Sequence, residues 1–248
     1  MALQKPFRRI IRPFVGEELP PGRKDYYGGV LSESYLMDPE YCPDRITLLR
    51  AFSIIEEDLR TAFDYLEPAD ENLNVFSHRL YELLLRACTE FEANCKGILA
   101  DNGYTKQDRW NVSDYRRIER SSRLSEYQVQ IPAWRGNKGK FKPFESCSEQ
   151  HSSPLKWYRD YNSVKHNRSE KFELANLENV LLAVSGLLVI LFSQCYLLCF
   201  TAYQTLTMSS SEDGWEWAGG TVFRVKPPTD WTHDELYDFP WEDLKKVP

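Results

Sequence analysis

Residues 157 to 168 read Trp-Tyr-Arg-Asp-Tyr-Asn-Ser-Val-Lys-His-Asn-Arg, and no other part of the chain gathers as many groups suited to phosphate chemistry. Arg159 precedes His166 by seven positions. Seven helical steps of about 100 degrees nearly complete two turns, so one continuous helix would present Arg159, Asn162 and His166 on a single face. A guanidinium stays charged, and its planar fork matches two phosphate oxygens. An imidazole, with an ordinary pKa of about 6.5, gives or takes a proton near neutrality. Lys165 and Arg168 add cations for flanking phosphates, and Asp160 stands directly after the arginine. Asn162, one turn before His166, is placed to fix the imidazole tautomer or touch a ribose. The same residues also suit a purely structural helix, in which Trp157, Tyr158 and Tyr161 pack and His166 bonds a carbonyl at the helix end.

The elements that must position this segment are mostly helical. Asp44 after Pro43 predicts a capped helix with the apolar stripe Leu48, Phe52, Ile55, Leu59, Phe63 and Leu66, ending at Pro68. A second stripe, Leu80, Leu84, Ala87, Phe91, Cys95 and Ile98, predicts a helix stopped by Gly103. Residues 113 to 124 read as a basic helix, Tyr127 to Ile131 alternates like a strand, and the stretch from Pro132 to Pro143 reads as a loop. Ser153-Pro154 predicts the start of the motif helix, with a break near Asn167. Thr221 to Val225 alternates like a second strand, and Thr232 with Glu235 spells a capping box.

From Leu177 to about Leu206 a longer helix is expected, and its middle, Leu181 to Phe200, is almost continuously apolar. That length would cross a bilayer. Its polar or small members Glu178, Ser185, Gly186, Ser193, Gln194 and Thr201 recur every seven to eight residues and draw one narrow stripe. A single lipid-facing span has no use for such a stripe, whereas a helix buried in a bundle or at a dimer seam has, so burial is the expected fate and no membrane partner is expected.

The 248 residues allow one domain with extensions, and composition divides them into an N-terminal arm (1–43), a helical body (44–206) with a basic insertion at about 105–153, and an acidic tail (207–248). A formal net charge of −6 gives no global attraction to a polyanion. The distribution is uneven, because the insertion carries ten Lys and Arg between Lys106 and Lys142 while the tail is acidic and able to cover it. The six cysteines form no CxxC pair and the four histidines do not cluster with them, so neither metal nor cofactor is expected. Cys88, Cys95, Cys195 and Cys199 fall in apolar helical patterns and read as small buried hydrophobes. The opening residues lack the apolar run of a signal peptide, and a cytoplasmic location is expected. Marks of nucleotide hydrolysis, dinucleotide binding, zinc proteolysis and serine hydrolysis (Walker loop, GxGxxG, HExxH, GxSxG) are missing from the sequence.

A helix reading Leu-Leu-Arg86-Ala-Cys-Thr-Glu90-Phe-Glu-Ala-Asn-Cys-Lys96, followed later by Tyr161-Asn-Ser-Val-Lys-His166-Asn-Arg168 and a hydrophobic helix, resembles the HEPN superfamily. The resemblance covers roughly residues 44 to 206. The family's signature is an arginine, usually with a polar residue after it, then four to six intervening residues and a histidine; Arg159-Asp160 and His166, with six between, match its upper end. The resemblance implies a mainly α antiparallel helical bundle, here with a short β element. It also implies a homodimer and a metal-independent endoribonuclease of a defence or toxin–antitoxin system, with RNA as substrate and an antitoxin or defence protein as a further partner. In that family a dimer brings two motifs together, so His166 of each subunit would divide the acid and base roles and Arg159 would stabilise the transition state. Arg86 and Glu90, an i, i+4 pair, would orient the site from behind or form a surface salt bridge. The rival expectation is a non-catalytic helical accessory subunit of a defence complex with the same fold.

Overall fold

The computed structural model describes residues 1–15, 38–105, 110–148, 154–196, 211–218, 220 and 222–239. In chain order its helices are α1 (Arg45–Phe63), α2 (His78–Asp101), the one-turn α3 (Val112–Tyr115) and α4 (Glu119–Ser122), α5 (Lys156–His166), α6 (Arg168–Lys171) and α7 (Leu177–Cys195). The chain is mainly α, with a small antiparallel sheet. Its strands are β1 (Gln128–Gln130), β2 (Lys140–Phe141), β3 (Ser211–Glu212), β4 (Trp215–Trp217) and β5 (Arg224–Lys226), in the spatial order β2-β1-β5-β4-β3.

Helix α7 is the axis of the core. Val180, Leu181, Ala183, Val184 and the run from Leu187 to Phe192 have no exposed surface, and 89% of its most apolar window is buried. It is therefore a core helix by burial, although its length and composition alone would suit a bilayer. Helix α2 runs parallel to it: the two start together, where Phe76 bridges Asn176, and near their far ends the buried Gln194 amide donates to Asn94 Oδ1 at 2.9 Å. Helices α1 and α5 each pack against both α2 and α7, so four helices close around one interior. The sheet covers the same core through one face, where Phe141, Val129 and Val225 stand opposite one another across three strands, all buried.

The stripe expected for α2 is buried throughout, that of α1 is buried from Leu48 to Leu59 with Phe63 and Leu66 only half-buried, and Gly103 ends the second helix in the left-handed region at φ 79°. Several boundaries differ from expectation. Asp44 gives no capping bond, because its carboxylate is taken by Arg9 and by the Cys42 thiol, and α1 stops at Phe63, well before Pro68. The expected helix over 113–124 breaks into α3, a 3-10 turn and α4, ending where Arg123 turns left-handed at φ 52°. That turn swings its guanidinium onto Glu126 and Asp230. The loop after Pro132 contains β2, the strand expected over 221–225 is seen as Arg224–Lys226 with Thr221 outside the described residues, and α7 ends at Cys195 because Tyr196 takes φ 43°. Lys106, Arg109, Ser153, Cys199 and the helical continuation expected over 197–206 lie outside the described residues.

The arm and the tail interlock. Leu3 and Phe14 both bridge Tyr237, whose hydroxyl accepts from the Phe7 N–H and donates to the Ile10 carbonyl at 2.8 Å. Residues 222–239 also reach the basic insertion: Arg123 pairs with Asp230 and Glu235, and Arg12 and Arg123 both lie over the Trp231 ring. Burial pushes the Cys88, Cys95 and Cys147 thiols up. Cys42 is the exception: a hydrogen bond with Cys195, aided by Arg9 and Arg45, brings it down to about 7.

Glu56 of α1 is buried against Gly220 and Val222, accepting the Val222 N–H at 3.4 Å, and a side chain at Gly220 would strike its carboxylate. Desolvation pushes its pKa from 4.5 up to about 7. Between those two values the folded chain holds a proton that the unfolded chain releases, so this contribution to stability declines as pH rises through the window. Glu56→Gln keeps the acceptor and removes the charge. The variant is expected to be more stable than the parent at pH 8, by on the order of 1 to 3 kcal/mol, and to converge with it near pH 5, as read by chemical denaturation at both pH values.

Candidate functional site

Helix α5 divides into two faces. The inner one carries Trp157, Tyr158, Tyr161 and Val164, all buried. Trp157 is the anchor: its indole N–H donates to the Pro143 carbonyl at 2.9 Å, and its ring meets Phe91 of α2 edge-on at 5.2 Å. On the other side it lies over Gly186 of α7, where an added methyl would come within 3.0 Å of the indole. Tyr158 donates to Glu92 Oε1 of α2 at 2.9 Å, and burial, reinforced by that carboxylate, pushes its hydroxyl pKa up. The helix starts at Lys156 with Leu155, itself buried, in the capping position, so Pro154 stands just outside it instead of in the first turn. It ends at His166, because Asn167 leaves helical geometry at φ −139°, ψ 63°.

The outer face carries the residues singled out for chemistry. Arg159 is 65% exposed along its side chain, and His166 is exposed at the last helical position. Both project from the face that also holds the half-buried Asn162, two turns or about 10 Å apart along the axis. Asn162 is not bonded to the imidazole; its amide donates to the Tyr158 carbonyl one turn back, at 3.0 Å. The Lys165 ammonium donates to the Tyr161 hydroxyl at 2.8 Å and sits over that ring; this bond holds its pKa above the usual lysine value. Arg168 lies over the Tyr81 ring of α2 at 5.7 Å.

Asp160 is the hinge between the two faces. Only 8% of its side chain is exposed, and it collects three donors: Lys156 Nζ at 3.0 Å, Asn179 Nδ2 of α7 at 3.2 Å and, more loosely, Arg159 Nε at 3.5 Å. A buried carboxylate is tolerable only when donors replace its water, and here they tie the motif helix to the core helix. Lys156 and Asn179 were not singled out from the sequence. The i, i+4 spacing of Lys156 to Asp160 was a legible signal for the first, whereas nothing local points to the second.

Arg86 and Glu90 are not brought to this site. They lie on the side of α2 turned to α1, where Arg86 pairs with Asp58 and the Glu90 carbonyl accepts the Asn94 amide. Glu92, on the opposite side of the helix, is the acidic residue that meets α5. Among the described residues no group of His, Cys, Asp and Glu could hold a metal ion. Comparison of the chain with family models, with curated proteins and with solved structures finds no match.

Removing the buried hinge should cost more than removing its exposed partner. Asp160→Ala is expected to destabilise the fold by about 1 to 3 kcal/mol, since it leaves donors of Asn179 and Lys156 without their acceptor. Lys156→Ala, whose side chain is 57% exposed, should cost less than about 1 kcal/mol. Urea denaturation of the two variants checks the order, and equal losses would contradict it.

Proposed function

We infer that the chain is a metal-independent endoribonuclease with a HEPN-like bundle, working as a cytoplasmic homodimer in a defence or toxin–antitoxin setting. One observation carries the reading: Arg159 and His166 stand in solvent on one face of a helix whose other face is locked into the core. Arg159 makes one loose 3.5 Å contact with the buried Asp160, yet 65% of its side chain remains in solvent, where a phosphate can reach it.

In the reaction a base takes the ribose 2′-hydroxyl proton, the 2′-oxygen attacks phosphorus, and an acid returns a proton to the departing 5′-oxygen, leaving a cyclic phosphate and a free hydroxyl. His166 supplies one proton carrier per chain. A second copy supplies the other, with Arg159 placed over the charge that builds on the phosphoryl oxygens. Two imidazoles in opposite protonation states give a rate that falls on both sides of a pH maximum.

A second reading, the accessory subunit that docks other proteins, is favoured by the apolar groups left bare on α1 and in the turn after it, where Ile54 is 48% and Tyr65 90% exposed. The two readings separate experimentally. As a nuclease, His166→Ala and Arg159→Ala each lower cleavage of a labelled transcript at least about 100-fold while the melting temperature stays within a degree or so, because neither side chain is buried. Cleavage by either variant at the parental rate would leave the accessory role standing.

A further inference from the structure

Just beyond the His166 end of α5, four rings from three segments meet at the surface. Phe172, immediately after α6, is edge-on to Phe76 at 5.6 Å and to Tyr81 at 6.1 Å, and lies 4.8 Å from the His78 imidazole. The cluster is not sealed. Phe76 is 48% exposed and its neighbour Val75 39%, although other large rings of the bundle, such as Phe91 and Trp157, are 1–2% exposed. The Arg168 guanidinium lies over Tyr81, and the exposed Lys171 directly precedes Phe172 in the chain, so the rings have one cation against them and a second next to them in sequence.

An exposed aromatic surface edged by Arg168, which follows the His166 imidazole by two residues, matches the needs of one ligand class: a flat heteroaromatic ring attached to a phosphate. Rings offer a face to a base without selecting its sequence, and the cations meet the phosphate next to it. Bases within a duplex are already stacked and cannot reach such a surface, so the occupant must be unpaired.

We propose that Phe76, His78, Tyr81 and Phe172, with Arg168 at their edge, form a stacking subsite for an unpaired base of single-stranded RNA beside the scissile phosphate. The subsite rests on the ribonuclease reading and adds to it that the substrate is single-stranded there. Binding is measured by fluorescence anisotropy with a labelled single-stranded oligoribonucleotide and with the duplex of the same sequence, using chains that carry His166→Ala so that the probe stays intact. Phe76→Ala in that background is expected to weaken single-strand binding between about 5-fold and 100-fold, to leave duplex binding unchanged and to leave the salt dependence unchanged, since no phosphate contact is lost. Phe76→Trp should restore or tighten it, which a mere packing role for this half-exposed ring would not predict. Equal affinity for single strand and duplex, or indifference to Phe76→Ala, overturns the subsite. If His166→Ala abolishes cleavage while Phe76 is indifferent, the subsite alone falls; a parent chain that neither binds nor cuts RNA takes the ribonuclease reading with it.

Discussion

A helix that is apolar on every side must be covered on every side, and α7 imposes that demand on the rest of the chain. Burial of apolar surface stabilises by roughly 25 cal/mol per Å², so leaving any face of such a helix in water would be costly. Helix α2 covers it lengthwise, α1 and α5 flank the pair, Tyr127 meets Phe192, and the arm closes the last turn where the Ile11 N–H donates to the Ser193 carbonyl. The few polar or small positions on the helix are where it meets particular partners. Asn179 reaches Asp160, Gly186 admits Trp157, and Gln194 reaches Asn94.

The periodic signals in the sequence translated well because they report burial directly. The stripes of α1 and α2, the apolar run of α7, the alternation around Val129 and the break after His166 all express which side of an element avoids water. What failed was local chemistry overridden from a distance. Asp44 is a good capping residue, yet Arg9 claims it, and the basic stretch after Val112 breaks at Arg116–Ile118 and again at Arg123, whose guanidinium pairs with Asp230, more than a hundred residues away. Sheet partners were invisible for the same reason, since β2 is only a pair of residues long and owes its conformation to β1.

The candidate site shows the same division. Arg159, Asn162 and His166 share a face because helical spacing requires it, and this much was readable from residue numbers. Which side of α2 faces them was not: the packing of α1 took the side that carries Arg86, and α5 the side that carries Glu92. The rings around Phe172 come from segments almost a hundred residues apart and had no signature at all.

The interlock of the first fifteen residues with the segment around Tyr237 carries a consequence for how the chain is made. Synthesis proceeds from the N-terminal end, and domains begin to organise as they emerge. The Ile10 carbonyl must wait through some 230 residues of translation for its Tyr237 partner. The bundle can gather before Tyr237 is synthesised, but the strap over the end of α7 closes only once Tyr237 has emerged, so a nascent chain lacking that residue would present an incompletely covered hydrophobic helix to chaperones.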